Sequence, residues 1–263
     1  MRKYEKRREA LPVDKTEKAG KSARPREIES SSFGQQTLTL QQALDLALQH
    51  HTAGRLPEAE KIYREMLRAD PNHADALHLI GVIAHQMGNN DTAIDFITKA
   101  LAIKPDYAEA HGNLGLAFQE LGKLEKALAS YHRAIGIKPE YAEAHYNLGN
   151  VFKELGRMED AVSSYSEAFT TKPDYAEAHI NLGLALKEQG KLKEAIINYQ
   201  KALSINPKFA EAQNNLVIAF KELGRMEEAI NSYQKALEIK PDYAEVHCNL
   251  GLVFKILGRL DDA

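Results

Sequence analysis

Cysteine is nearly absent. Cys248 is the single one in 263 residues, so no disulfide can form within the chain and nothing points to an oxidising compartment. Long apolar runs are also missing: no stretch approaches the ~18 residues that would read as a membrane span. The opening MRKYEKRREALPVDK carries charge with no apolar segment behind it, so there is no visible secretion or membrane signal, which favours the cytoplasm. Catalytic signatures are lacking as well. There is no glycine-rich nucleotide loop, no G-x-S-x-G and no H-E-x-x-H. These residues predict no catalytic domain, no cofactor and no metal.

Acidic and basic residues are unevenly spread. Residues 1–37 hold ten Lys/Arg against six Asp/Glu, leaving 24 against 31 from Leu38 onward, so a tail of +4 precedes a body of -7. A body of that sign repels phosphate backbones, and nucleic acid is not an expected partner. The tail has mixed charge and no apolar periodicity, and is expected to be disordered over 1–37 and dispensable to the fold.

What the chain does have is a period. Pro71, Pro105, Pro139, Pro173, Pro207 and Pro241 are 34 residues apart. Numbering each repeat so that Ala108 is position 1, glycine holds position 15 (Gly54, Gly88, Gly122, Gly156, Gly190, Gly224, Gly258) and alanine holds position 20 (Ala59 through Ala263). Within a repeat, His111, Leu114, Gly115, Phe118 and Leu121 share one helical face, and Leu124, Ala127, Leu128, Tyr131, Ala134 and Ile135 share another. The reading is a pair of amphipathic helices per repeat, split by the glycine and closed by the proline. Asp106, Asp174 and Asp242, each followed three residues later by Glu, are expected to form capping boxes, with a weaker start at Lys208. Gly115, Gly149, Gly183 and Gly251 at position 8 leave room for close backbone approach beside Tyr131, Tyr165, Tyr199 and Tyr233. Val217 breaks that series and is expected to make a soft joint. Neither helix buries its stripe alone, so the repeats must stack.

The repeat YAEAHGNLGLAFQELGKLEKALASYHRAIGIKPE resembles the tetratricopeptide repeat, with Leu114, Gly115, Phe118, Ala127, Tyr131, Ala134 and Pro139 at its signature positions. His111, His145, His179 and His247 depart from it, standing where the family often has tryptophan. The resemblance implies an all-α, right-handed superhelical solenoid of six repeats (38–71, 72–105, 106–139, 140–173, 174–207, 208–241) and a partial seventh, 242–263. That last repeat reads as truncated because Ala263 falls within its second helix. The implied function is a scaffold whose first helices line a concave groove for protein or extended peptide.

Helical geometry places positions 2, 5, 6, 9, 12 and 13 opposite the packed stripe. Position 6 is asparagine in five successive repeats: Asn113, Asn147, Asn181, Asn215 and Asn249. An amide donates and accepts together, so an exposed row could pair with the backbone of a bound strand, about one asparagine per three strand residues. Such a ladder resembles that in the repeat region of O-GlcNAc transferases. The competing explanation is inheritance by duplication without a ligand role. Positions 5 and 9 vary between repeats and offer candidate pockets at Tyr146, Asn150, Ile180, Leu184, Leu116, Ile218 and Leu252, against drift at tolerant sites. Acids at positions 2 and 13, such as Glu177, Glu211, Glu154 and Glu188, act on the helix dipole and give the groove a negative rim, softened by Lys153, Lys187, Lys221 and Lys255. A partner with basic and apolar side chains would suit it. The recurring histidines lie too far apart to share a metal and read as packing residues, and Cys248 as a buried, inert thiol. The alternative to a free-standing scaffold is a substrate-presenting module of a larger transferase.

Overall fold

The 34-residue period becomes a helix pair in each of the six complete repeats of the computed structural model, which describes residues 27–28, 38–239 and 241–258. Two compact bodies divide at Pro139. In the first, a two-residue strand β1 (Glu27–Ile28) pairs antiparallel with β2 (Leu38–Thr39) ahead of α1 (Leu40–Thr52), α2 (Leu56–Ala69), α3 (Ala74–Gln86), α4 (Asn90–Ile103), α5 (Ala108–Glu120) and α6 (Leu124–Ile137). Glu27 and Ile28 belong to the stretch expected to be disordered, so that expectation fails for these two residues. Its other residues, 1–26 and 29–37, lie outside those described. The second body holds α7 (Ala142–Glu154), α8 (Met158–Thr171), α9 (Ala176–Glu188), α10 (Leu192–Ile205), α11 (Ala210–Glu222), α12 (Met226–Ile239) and α13 (Ala244–Ile256). No described helix is long and apolar enough to cross a membrane.

The turn inside each repeat explains the position-15 glycine. All seven have φ between 68° and 80°, the left-handed region open to glycine at little cost. The next residue then donates back into the helix just finished, as in Lys123 N–H to Phe118 O at 2.9 Å and Arg157 N–H to Phe152 O at 2.8 Å.

The capping boxes do not form. The first helices of these repeats start at Ala108, Ala176 and Ala244, with Tyr107, Tyr175 and Tyr243 at the N-cap and no side-chain cap bond. The acids serve elsewhere: Asp106 accepts from Arg133 at 3.2 Å, and Glu109, at N2 of its helix, pairs with Lys138 at 3.2 Å. Glu143 and Lys172 make the same link at 3.4 Å in the second body. The N-cap tyrosine instead takes a cation over its ring, Lys104 over Tyr107 at 4.6 Å and Lys172 over Tyr175 at 4.7 Å. That contact joins both ends of the Lys-Pro-Asp-Tyr turn.

Close packing inside each pair rests on small residues. Ala59, Ala93, Ala127, Ala161, Ala195 and Ala229 are fully buried. A Cβ built on Gly115 or Gly149 would lie 2.6 Å from the ring of Tyr131 or Tyr165, and on Gly183 closer still to Tyr199. At the joint where Val217 replaces glycine, the valine is buried, and a crevice lined by Gln213, Val217, Tyr233, Ala236 and Tyr243 lies beside it.

Candidate peptide-binding face

Position 6 is not an open row of amides. In the first body Asn113 is 1% exposed and donates through Nδ2 to Nε2 of His78 at 2.9 Å, while Nδ1 of His78 donates to the Tyr107 hydroxyl at 3.0 Å. His78 is itself fully buried, and that burial, helped by the nearby charges of His51 and Lys104, lowers its pKa to about 3. The exposed position expected for Asn113 is thus corrected. A side chain from the preceding repeat covers it.

The second body repeats the device with other residues. Asn181 donates through Nδ2 to the Tyr146 hydroxyl and to Oδ1 of Asn150, both at 2.9 Å, and the Tyr165 hydroxyl donates to the same Oδ1 at 2.9 Å. Asn181 also accepts from Lys153 at 3.4 Å. Tyr146, Asn150 and Asn181 are therefore one half-buried network that joins α7, α8 and α9. Asn147 and Asn249 are half-buried. Asn215 is half-buried as a residue, but its Nδ2 is shielded and has no hydrogen-bond partner.

Positions 5 and 9 divide between core and surface. Ile180 is 2% exposed and packs with Ala202 and Ala212, so it is a core residue and not a groove pocket. Leu184 and Ile218 are half-buried, Leu184 packing against the edge of that same cluster, and Leu252 is 48% exposed. Leu116 is half-buried in the first body. Glu154, Glu177, Glu188, Glu211 and Glu222 are all exposed, and Lys187 reaches Glu222 at 3.3 Å. These acids act inward as well. Burial first, and then the charges of Glu222, Glu211 and Glu188, push the Tyr199 hydroxyl far above the ordinary phenol range.

The histidines at position 4 are anchors. Nε2 of His111 donates to the Pro105 carbonyl at 2.9 Å and Nε2 of His247 to that of Pro241 at 2.8 Å, while His179 stacks on Phe169 at 4.7 Å. Cys248, expected to be buried, is exposed. Among the described residues no group of three or more His, Cys, Asp or Glu is placed to hold a metal. Reading the sequence face by face missed the tyrosine hydroxyls: the Tyr165 ring packs against Gly149, and its oxygen reaches position 9 at Asn150, while that of Tyr131 donates to Gln119 at 3.2 Å. The signal was present in the change from Asn150 to Leu184 one repeat later.

Comparison with known proteins agrees with this architecture. Models of the tetratricopeptide repeat match residues 50–116, 118–156, 149–190, 176–209 and 218–258. The crystal structure of MamA is 30% identical over 64% of this chain and 98% of its own, with a TM-score of 0.57. The chain belongs to the tetratricopeptide repeat family. Two more distant structures share the fold. PilF of Pseudomonas aeruginosa is 18% identical over 79% of this chain and 95% of its own, at a TM-score of 0.70. YrrB, described as a TPR protein with an unusual peptide-binding site, is 22% identical over 65% and 89%, at 0.55. No match was found among curated proteins.

Proposed function

We propose that this chain is an interaction scaffold that binds an extended segment with alternating apolar and basic side chains along the first helices of its second body. The observation that carries the reading is the position-9 row on α9, α11 and α13: Leu184, Ile218 and Leu252 present aliphatic surface while Glu154, Glu177, Glu188, Glu211 and Glu222 stand exposed around it. Aliphatic side chains left partly in water gain about 25 cal/mol per Å² when covered. Acidic rims attract Lys and Arg and disfavour acidic partners. Helices stacked about 10 Å apart, met by a strand rising about 3.3 Å per residue, call for an apolar residue at every third position. YrrB, with its peptide-binding site, supports the class of ligand. A segment held this way serves a free-standing scaffold or a substrate-presenting module of a transferase equally well. The lone, exposed Cys248 favours a reducing compartment such as the cytoplasm.

The test is a titration of the full chain with a fluorescent peptide of four Leu-Lys-Ser triplets, beside its Leu-Glu-Ser counterpart. Binding of the lysine peptide should exceed that of the glutamate peptide by at least about tenfold at low salt, and should weaken as salt rises. Leu252→Asn should cost several-fold in affinity without moving the thermal midpoint, since Leu252 is 48% exposed. Equal binding of the two peptides, or none, would overturn the reading.

A further inference from the structure

One cluster of the second body recurs a repeat later with its centre missing. Ile180, 2% exposed, packs with Ala176, Ala202 and Ala212, and Phe209, the N-cap residue of α11, lies against that cluster. The same positions 34 residues on are Asn214 in place of Ile180, and Ala210, Ala236, Val246 and Tyr243 around it. All five line the crevice beside Val217. That crevice is therefore the place an isoleucine fills in the repeat before. Position 5 also packs on the next N-cap aromatic through His78 on Tyr107, ring centroids 4.7 Å apart, and through Tyr146 on Tyr175 at 4.9 Å. Asn214 leaves the space beside Tyr243 open, and is itself half-buried where Ile180 is sealed. Two valines take up part of that space, Val217 where Gly183 stands and Val246 where Ala212 stands, so what remains has room for one group the size of a water or a methyl.

We infer that this crevice takes one small aliphatic side chain, an alanine or a valine, of the segment bound along the first helices. The inference rests on the groove reading above and gives it a specificity-determining contact. Chemistry selects the class of side chain: Ala210, Val217, Ala236 and Val246 are aliphatic walls, and Ser232 beside them spends its hydroxyl on the Glu228 carbonyl at 2.9 Å. Size selects within the class, since leucine and phenylalanine exceed the room left by the two valines. Place ties the crevice to the aliphatic row. Asn214 lies one helical turn before Ile218 on α11, and Glu211, exposed nearly a turn earlier, is set for a basic residue next to the inserted one.

The experiment titrates the full chain with two relatives of the Leu-Lys-Ser peptide, one with valine and one with phenylalanine at every leucine, and adds a thermal melt of each form. Asn214→Val and Val217→Ile each put one methyl-sized group into the crevice, the first from its rim and the second from its floor. Both should bind the valine peptide about three- to fivefold more weakly than wild type, the worth of one covered methylene, and melt at the same or a higher temperature. The phenylalanine peptide, too large for the crevice, should bind every form alike. Asn214→Ser leaves the crevice open and should bind as wild type does. Wild-type affinity for the valine peptide in the two filled variants would overturn the inference and leave the groove reading standing, with water holding the crevice. An equal loss for both peptides would overturn it by marking a general disturbance of α11, and so would a lower melt of the filled variants, by showing that the space does not exist. A loss in Asn214→Ser as well would assign recognition to the asparagine amide instead. Failure of wild type to bind either peptide would sink the groove reading first, and this inference with it.

Discussion

Asn113 donates to His78 at 2.9 Å across a sequence separation of 35, and Asn181 donates to Tyr146 at 2.9 Å across the same separation. Position 5 of one repeat thus holds the position-6 asparagine of the next. Two residues of different chemistry do one job, because imidazole nitrogen and phenol oxygen can both accept from an amide. The asparagine is in these cases a clamp between repeats.

Acid should weaken the first body through this clamp. Burial keeps His78 neutral down to about 3, below the 6.5 of a free imidazole. The unfolded chain therefore takes up the proton first. Stability is fully present above about 6.5 and falls as pH drops from there toward about 3, with a slope approaching 1.4 kcal/mol per pH unit from this group. His51 and His111, also in the first body, are shifted in the same direction by burial and add to the slope. Urea melts between pH 7 and 4 should show the decline, and His78→Leu should flatten it. An unchanged slope in that variant would remove His78 from the account.

Asparagine-to-alanine substitutions should separate by burial. Asn113→Ala leaves Nε2 of a fully buried His78 unpaired, which costs about 1–3 kcal/mol. Asn181→Ala leaves Tyr146 and Asn150, which water can reach, and Tyr165 still pairs with Asn150. Its loss should be nearer 0.5–1.5 kcal/mol. Better helix propensity returns up to ~0.7 kcal/mol in both. Denaturant midpoints should fall more for Asn113→Ala, and a gain in stability for both would show that the clamps contribute nothing.

The sequence was most legible where a residue acts on its own backbone. Gly122 and Pro139 mark turns and ends through local conformation alone, and they located the helix pairs. A helical wheel gives a direction but not what lies in that direction. Asn113 and Ile180 both point away from their own packed stripe, yet His78 on α3 covers one and Ala202 and Ala212 on α10 and α11 cover the other. The capping boxes failed for a related reason. Tyr107 gains more by burying its ring at the N-cap, where it is 5% exposed, than Asp106 would by capping, and Asp106 has Arg133 as a partner.

The two helical glycines Gly183 and Gly136 should respond oppositely to alanine. At Gly183 an added Cβ would collide with Cε1, Cδ1 and Cζ of Tyr199, a ring that is fully buried. Helices α9 and α10 would have to separate, at a cost of about 1–3 kcal/mol. At Gly136, exposed in the last turn of α6, an added Cβ meets nothing within 4 Å, so only backbone terms remain. Alanine in a helix interior is favoured over glycine by about 0.8–1.0 kcal/mol, so Gly136→Ala should stabilise α6 by up to that amount. Circular dichroism melts of the two variants, run against wild type, should move to lower temperature for Gly183→Ala and to equal or higher temperature for Gly136→Ala. If Gly183→Ala melted with wild type or above it, the close approach of the Tyr199 ring would not be the reason that glycine stands at position 8.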